Sequence, residues 1–173
     1  LDRLDLAVAQ AKRRKGQIAV MQVDVDRFKD INERFGQGEG DSLLCAIARR
    51  LQRCLRRGDT LSRQGGDEFT ILLPDVRSKE NAQAIASKIH QAFEQPFSLG
   101  KDEVRMNCSI GVALYPEDGD DAESLTQHAA IAMFQAKRNG GESHEFFEPG
   151  MHSAYRARIS LETELRLAIR SEE

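Results

Sequence analysis

The stretch Ile18-Ala19-Val20-Met21-Gln22-Val23 is short, nearly continuous in apolar side chains, and closed by Asp24-Val25-Asp26. With Gly16 before it and the carboxylates behind it, it reads as a strand buried on both faces. Such a strand needs neighbours at its edges and helices above and below, and the rest of the chain supplies both. Residues 1–15 place Leu1, Leu4, Val8 and Ala11 at helical spacing, and Gly16 stops that helix. Residues 27–35 read as a short helix broken by Gly36, Gly38 and Gly40, and residues 41–56 as a longer one with Leu43, Leu44, Ile47, Ala48, Leu51 and Leu55 on one face.

Thr60–Arg63 and Phe69–Leu73 flank Gly65-Gly66 and predict a β-hairpin ended by Pro74. Residues 79–93 are helical through Ala82, Ile85, Ile89 and Phe93, and residues 104–114 alternate as a long half-buried strand. A helix over 121–138, a short strand at His144–Phe147 and a helix over 151–170 complete the order. Strands interleaved with helices around one hairpin predict an α/β (α+β) chain, a mixed sheet of about five strands flanked by helices.

Composition limits the function. The 173 residues make one domain, and 25 Lys plus Arg against 28 Asp plus Glu give a net charge of −3, which argues against a general nucleic-acid binder. No apolar run suits a bilayer and no leader peptide opens the chain, so this segment is expected to be cytoplasmic and to make no membrane contact. Cys45, Cys54 and Cys108 form no CxxC pair and are expected to be structural. Both ends look cut, as in a domain of a larger protein.

Two acidic sites stand out. Asp24 follows the buried strand, where α/β sheets place ligands, and Asp67-Glu68 follow the glycine turn. If the hairpin lies beside the first strand, Asp24 and Asp67 converge, and two hard oxygen donors suit Mg²⁺ completed by water and phosphate. Arg27-Phe28-Lys29 open a helix whose free N–H groups attract phosphate, and Lys29 and Lys137 can add charge. Each cue alone has a plainer reading: the Asp pair as a strand-to-helix junction with a cap, the glycines as an ordinary turn.

Their joint arrangement resembles a known family. Asp24-Val25-Asp26-Arg27-Phe28-Lys29-Asp30-Ile31-Asn32, Gly36-Gln37-Gly38-Glu39-Gly40-Asp41 and Arg63-Gln64-Gly65-Gly66-Asp67-Glu68-Phe69 are similar to the GGDEF family of diguanylate cyclases. Ser109-Ile110-Gly111-Val112-Ala113 and Ala132-Met133-Phe134-Gln135-Ala136-Lys137 match it too. The resemblance implies a palm-like, nucleotidyl-cyclase-like sheet whose hairpin carries the motif. It implies a GGDEF domain over residues 1–148, with residues 149–173 as a helix leading to a following domain.

The resemblance also implies the chemistry. Two GTP molecules become cyclic di-GMP and two pyrophosphates, one GTP per domain, in a homodimer whose two sites face each other. Asp24 and Asp67 bind Mg²⁺ (or Mn²⁺) through side chains and Val25 through its carbonyl, and Asp67 helps deprotonate the 3′-hydroxyl. Glu68 lies at the metal and phosphate site. Phe28 and Lys29 offer backbone N–H groups to phosphates, Asn32 and Asp41 read guanine, and Lys137 contacts the triphosphate. Arg56-Arg57-Gly58-Asp59 resembles the family's RxxD site, where Arg56 and Asp59 bind product as an inhibitor.

Three departures stand out: Gln37 where the family has His, Phe134 where it has Tyr, and Gly140-Gly141-Glu142 in place of a second phosphate-contacting cation. The last is expected to weaken GTP binding. It keeps a second reading open, a module that binds GTP or cyclic di-GMP and regulates an adjacent phosphodiesterase domain. Residues 149–166 resemble the helix that joins GGDEF to EAL domains, so covalently linked EAL or sensory domains are the expected partners. His144, Glu145, Glu148 and His152 are read as a surface segment rather than a metal cluster.

Overall fold

The computed structural model describes residues 2–171. Leu1 of the first predicted helix and Glu172-Glu173 of the predicted linker lie outside the described residues. The order is α1 (Asp2–Arg14), β1 (Gln17–Val25), α2 (Phe28–Phe35), α3 (Gln37–Cys54), β2 (Thr60–Gly65), β3 (Glu68–Val76) and α4 (Lys79–Glu94). Then come β4 (Phe97–Leu99), β5 (Asp102–Val104), β6 (Cys108–Tyr115), α5 (Ala122–Arg138), β7 (His144–Phe146) and α6 (Pro149–Ser171). A mixed five-stranded sheet runs β2-β3-β1-β6-β7. The apolar run sits in its middle, antiparallel to β3 and β6, while β7 joins β6 in parallel.

Side chains leave β1 alternately to two layers. Ala19, Met21, Val23 and Val25 join Phe69, Ile71, Leu73, Ile110, Val112 and Leu114 in a core under α2, α3 and α4. Ile18 and Val20 join Leu72, Ala113 and Tyr115 under α1 and α5. On that second face α5 lies almost on the strand: a Cβ at Gly111 would stand 2.0 Å from the Ala129 carbonyl oxygen and 2.1 Å from the Met133 nitrogen. No side chain fits there, so this glycine sets how α5 approaches the site.

Four expectations need correction. Only Gly36, at φ 87°, breaks the helices: α3 starts at Gln37 and takes in Gly38 and Gly40. Gly40 faces Asn32, whose Oδ1 would lie 1.8 Å from an added Cβ, so it serves helix–helix approach rather than termination. Pro74 does not end its strand. β3 continues to Val76, and the Leu73↔Ala19 and Val76↔Gln17 pairs leave an extra residue opposite β1, a bulge that tolerates the missing N–H.

The predicted strand over 104–114 is two strands, and β6 is buried along its whole length rather than half-buried. Its odd positions Ser109, Gly111 and Ala113 are small because α5 covers them. The first of the two, β5, pairs with β4 in a separate hairpin outside the main sheet. Finally, Cys45 is exposed, whereas Cys54 and Cys108 are buried thiols.

α6 departs from the rest. Tyr155 meets Phe134 edge-on at 5.2 Å near its start, yet the helix has no buried residue, and Ile159, Leu161, Leu165, Leu167 and Ile169 are exposed. No helix among the described residues is long and apolar enough to cross a membrane.

Candidate functional site

The end of β1 turns from core to polar: Val20 is followed on the same face by Gln22 and Asp24. Gln22 accepts a hydrogen bond from the Thr70 hydroxyl at 3.0 Å. Asp24 is only 5% exposed and stands in register with Glu68 on β3 and Ser109 on β6. Lys137, in the last turn of α5, brings its Nζ to 2.6 Å from Asp24 Oδ1. The pair meets at ion-pair distance but off hydrogen-bonding alignment, so that buried oxygen has no aligned donor.

The electrostatics follow from the placement. Burial pushes the Asp24 carboxyl up, the Lys137 ammonium draws it back, and the charges of Asp67 and Glu68 push it further, to about 6. Three carboxylates therefore crowd one ammonium.

The hairpin tip is built for this approach. Gly65 and Gly66 take φ 121° and 55°, and Arg63 Nε donates to the Gly66 carbonyl at 2.9 Å. The Val25 amide donates to the Asp67 carbonyl at 3.2 Å, which docks the turn onto the end of β1. Asp24, Val25, Asp67, Glu68 and Lys137 thus come together as expected.

Asp24 and Asp67 are hard oxygen donors of the kind a magnesium-sized dication takes. An under-paired buried carboxylate beside two more acidic groups fits such a cation, which would relieve the crowding. Among the described residues no three His, Cys, Asp or Glu side chains make a full metal-binding group, so water and phosphate would complete the sphere.

The other expected residues surround this centre. Arg27 adopts a left-handed conformation at φ 56° and turns the chain into α2, whose first residue Phe28 is buried. The Lys29 side chain is 87% exposed and pairs with Glu33 at 3.7 Å, so its charge faces solvent. Asn32 Oδ1 is buried without a hydrogen-bond partner against Gly40, next to the exposed Asp41. An unused acceptor at a helix–helix notch suits a ligand with N–H groups.

Arg56 and Asp59 lie elsewhere, as a turn in which the Arg56 amide donates to Asp59 Oδ2 at 2.8 Å. Both line a groove of about 340 Å³ with Asp75, Arg77 and Asn81. His144 and His152 are half-buried rather than plain surface: His144 stacks on His90 at 5.4 Å, and His152 meets His128 edge-on at 5.9 Å.

Sequence reasoning missed how Asp26 is used. Its Oδ1 accepts from the Ser109 hydroxyl at 2.7 Å and its Oδ2 from the Glu142 amide at 3.0 Å. The signal was its period-two spacing from Asp24, which puts both carboxylates on one face.

Known proteins resemble the chain closely. The profile of the family described as "Diguanylate cyclase, GGDEF domain" matches residues 1–143. MucR of Pseudomonas aeruginosa, a bifunctional diguanylate cyclase/cyclic di-GMP phosphodiesterase, is 38% identical over 168 residues, which are 97% of this chain and 24% of MucR. The cyclic di-GMP phosphodiesterase PdeR of Escherichia coli is 35% identical over 172 residues, 99% of this chain and 26% of PdeR. The diguanylate cyclase TpbB of P. aeruginosa is 40% identical over 147 residues, 84% of this chain and 34% of TpbB. The crystal structure of the TpbB GGDEF domain superposes with a TM-score of 0.84 at 39% identity, over 85% of this chain and 92% of that one. The chain therefore spans about a quarter to a third of these relatives.

Proposed function

The chain belongs to the GGDEF family of diguanylate cyclases, and on that premise we propose that it condenses two GTP into cyclic di-GMP and two pyrophosphates as a homodimer with one GTP half-site per subunit. The observation that carries this is the Asp24 centre: a buried carboxylate held near pKa 6 by its burial and by Asp67 and Glu68, with a single ammonium against it. Mg²⁺ or Mn²⁺ held by the side chains of Asp24 and Asp67 and the Val25 carbonyl would neutralise charge on the triphosphate.

The chain's own groups do the rest. The amides of Phe28 and Lys29, at the start of α2, bind phosphate oxygens, and Lys137 adds a point charge beside Asp24. Glu68 stands at the same edge of the sheet. Asn32 and Asp41 accept from guanine N1–H and the 2-amino group, and adenine would leave those acceptors unpaired. Asp67 takes the proton of the ribose 3′-hydroxyl. The freed oxygen attacks the α-phosphorus of the GTP on the facing subunit, and pyrophosphate leaves.

We place the inhibitory product site in the groove of Arg56 and Asp59, where a guanidinium fork and a carboxylate suit phosphate and guanine. Residues 1–148 form the domain, and α6 leads toward an EAL domain, with cytoplasmic residence for this segment.

Mass-spectrometric detection of cyclic di-GMP after incubation with GTP and Mg²⁺ tests the reading. Product should appear with the native chain, and Arg56→Ala should let it accumulate further. No product at high protein and GTP concentration in the full-length protein would sink the cyclase. A second reading has one observation in its favour: a relative named a phosphodiesterase matches 99% of this chain. Tight GTP binding without turnover would select that reading, in which the domain regulates its neighbour.

A further inference from the structure

We propose that Asp26 is a positioning residue for the triphosphate end of the site. It latches the Gly140–Glu142 turn to the sheet and so holds Lys137 over Asp24. The inference rests on the proposed role of Lys137 as a triphosphate contact.

Both oxygens of Asp26 are engaged, one by the Ser109 hydroxyl and one by the Glu142 amide, so the carboxylate is fixed from the sheet on one side and from the turn on the other. Ser109 is fully buried on β6, opposite Asp24. A ring of hydrogen bonds closes the latch. The Asp26 amide donates to the Asn107 carbonyl at 2.9 Å, the Asn107 side-chain amide donates to the Glu142 carboxylate, and the Glu142 amide returns to Asp26 Oδ2.

The turn itself is in a conformation that needs holding. Gly140, Gly141 and Glu142 take φ 108°, 74° and 55° in succession, and Glu142 does so with a side chain. A Cβ at position 141 would come within 3.0 Å of Asp26 Oδ2, so glycine there keeps the carboxylate's approach open.

The turn is also the cap of α5. The Gly141 amide donates to the Ala136 carbonyl and the Gly140 amide to the Lys137 carbonyl, each at 3.1 Å. Lys137 is therefore tied through its backbone to the latched turn while its ammonium meets Asp24. Freeing the turn loosens the last turn of α5 and the point charge it carries.

Hydrogen exchange and nucleotide binding test this together. In Asp26→Ala, amides of residues 140–142 should exchange faster while those of β1 and β6 keep their protection. Affinity for a GTP analogue with a methylene between its α and β phosphorus atoms should fall about ten-fold, the size of a single charge-assisted contact loosened. Asp26→Asn, which accepts through one oxygen only, should fall between. Ser109→Ala removes one bond and gives a milder comparator should Asp26→Ala fail to fold.

The Asp26→Ala/Lys137→Ala pair should bind no more weakly than Lys137→Ala alone. Additive losses, or unchanged exchange in residues 140–142, would overturn the latch. A native chain that takes up no nucleotide would overturn the reading of the site, and the positioning role with it. Native binding left unaltered by Asp26→Ala overturns the latch alone.

Discussion

The two faces of the central sheet are made from the same strands yet do different work. On the face under α2, α3 and α4, large side chains such as Met21, Phe69, Ile71 and Ile110 interlock with Leu43, Ile47 and Leu51. On the face under α1 and α5, the strands carry small residues at Ser109, Gly111 and Ala113, and β1 passes from Ile18 and Val20 to Gln22 and Asp24. One face is filled by volume. The other brings a helix close enough for its last lysine to reach a strand carboxylate. Polar groups can be buried there because the first face supplies the packing that fixes their positions.

The sharpest way to break this contrast is at the hairpin. Asp67→Ala should lower cyclic di-GMP formation by about a thousand-fold or more while leaving the thermal unfolding midpoint nearly unchanged, measured by product assay and calorimetry. A midpoint that collapsed in parallel would mean that the site face also carries the fold. On the opposite face the outcome should invert. Ile71→Ala removes a fully buried side chain and should cost about 2–5 kcal/mol in denaturant unfolding, with nucleotide affinity of the folded protein retained.

A pH series comes next in size. The Asp24 carboxyl titrates near 6 in the folded chain against 3.8 in the unfolded one. Folding is thus favoured below the unfolded value, and that contribution is lost as pH rises through about 6. Metal-free stability should fall by up to about 3 kcal/mol between pH 4 and 6 from this group. Metal binding has the opposite sign, because it needs the ionised carboxylate: Mn²⁺ affinity by titration should weaken as pH drops below 6. Asp24→Asn should flatten both trends. The smallest effect concerns the cap of α4, where Ser78 Oγ accepts from the Asn81 amide at 3.4 Å. Ser78→Ala should cost about 1 kcal/mol and leave nucleotide binding alone.

Much of this was legible in the residues. The apolar run, the glycine turn and the helical stripes have periods set by the backbone, so β1, the hairpin and most helices could be placed beforehand. The errors have physical causes. Gly38 and Gly40 look like breakers, but a helix accepts them when another helix needs the room, and Asn32 needs it at Gly40. The alternation over 104–114 suggested a water-facing side because Ser109, Gly111 and Ala113 are small or polar. They are small because α5 lies on them. The resemblance gave roles to Asp24 and Val25 and none to Asp26, whose use was hidden because both acids share a face and differ in what reaches them from β6 and the end of α5.

Motif spacing and hydrophobic period are local properties of the chain, and they were enough for the family resemblance, the mixed sheet flanked by helices and the set of acidic and basic groups. Long-range packing decided how the two acids differ: Asp24 meets Lys137, whereas Asp26 accepts from Ser109 and Glu142. That distinction depends on Lys137, Ser109 and Glu142, which lie 83 to 116 residues from the acids they touch. The pairing of β1 with β6 brings Ser109 to Asp26, and the packing of α5 onto Gly111 sets the helix end that carries Lys137 and leads into Glu142.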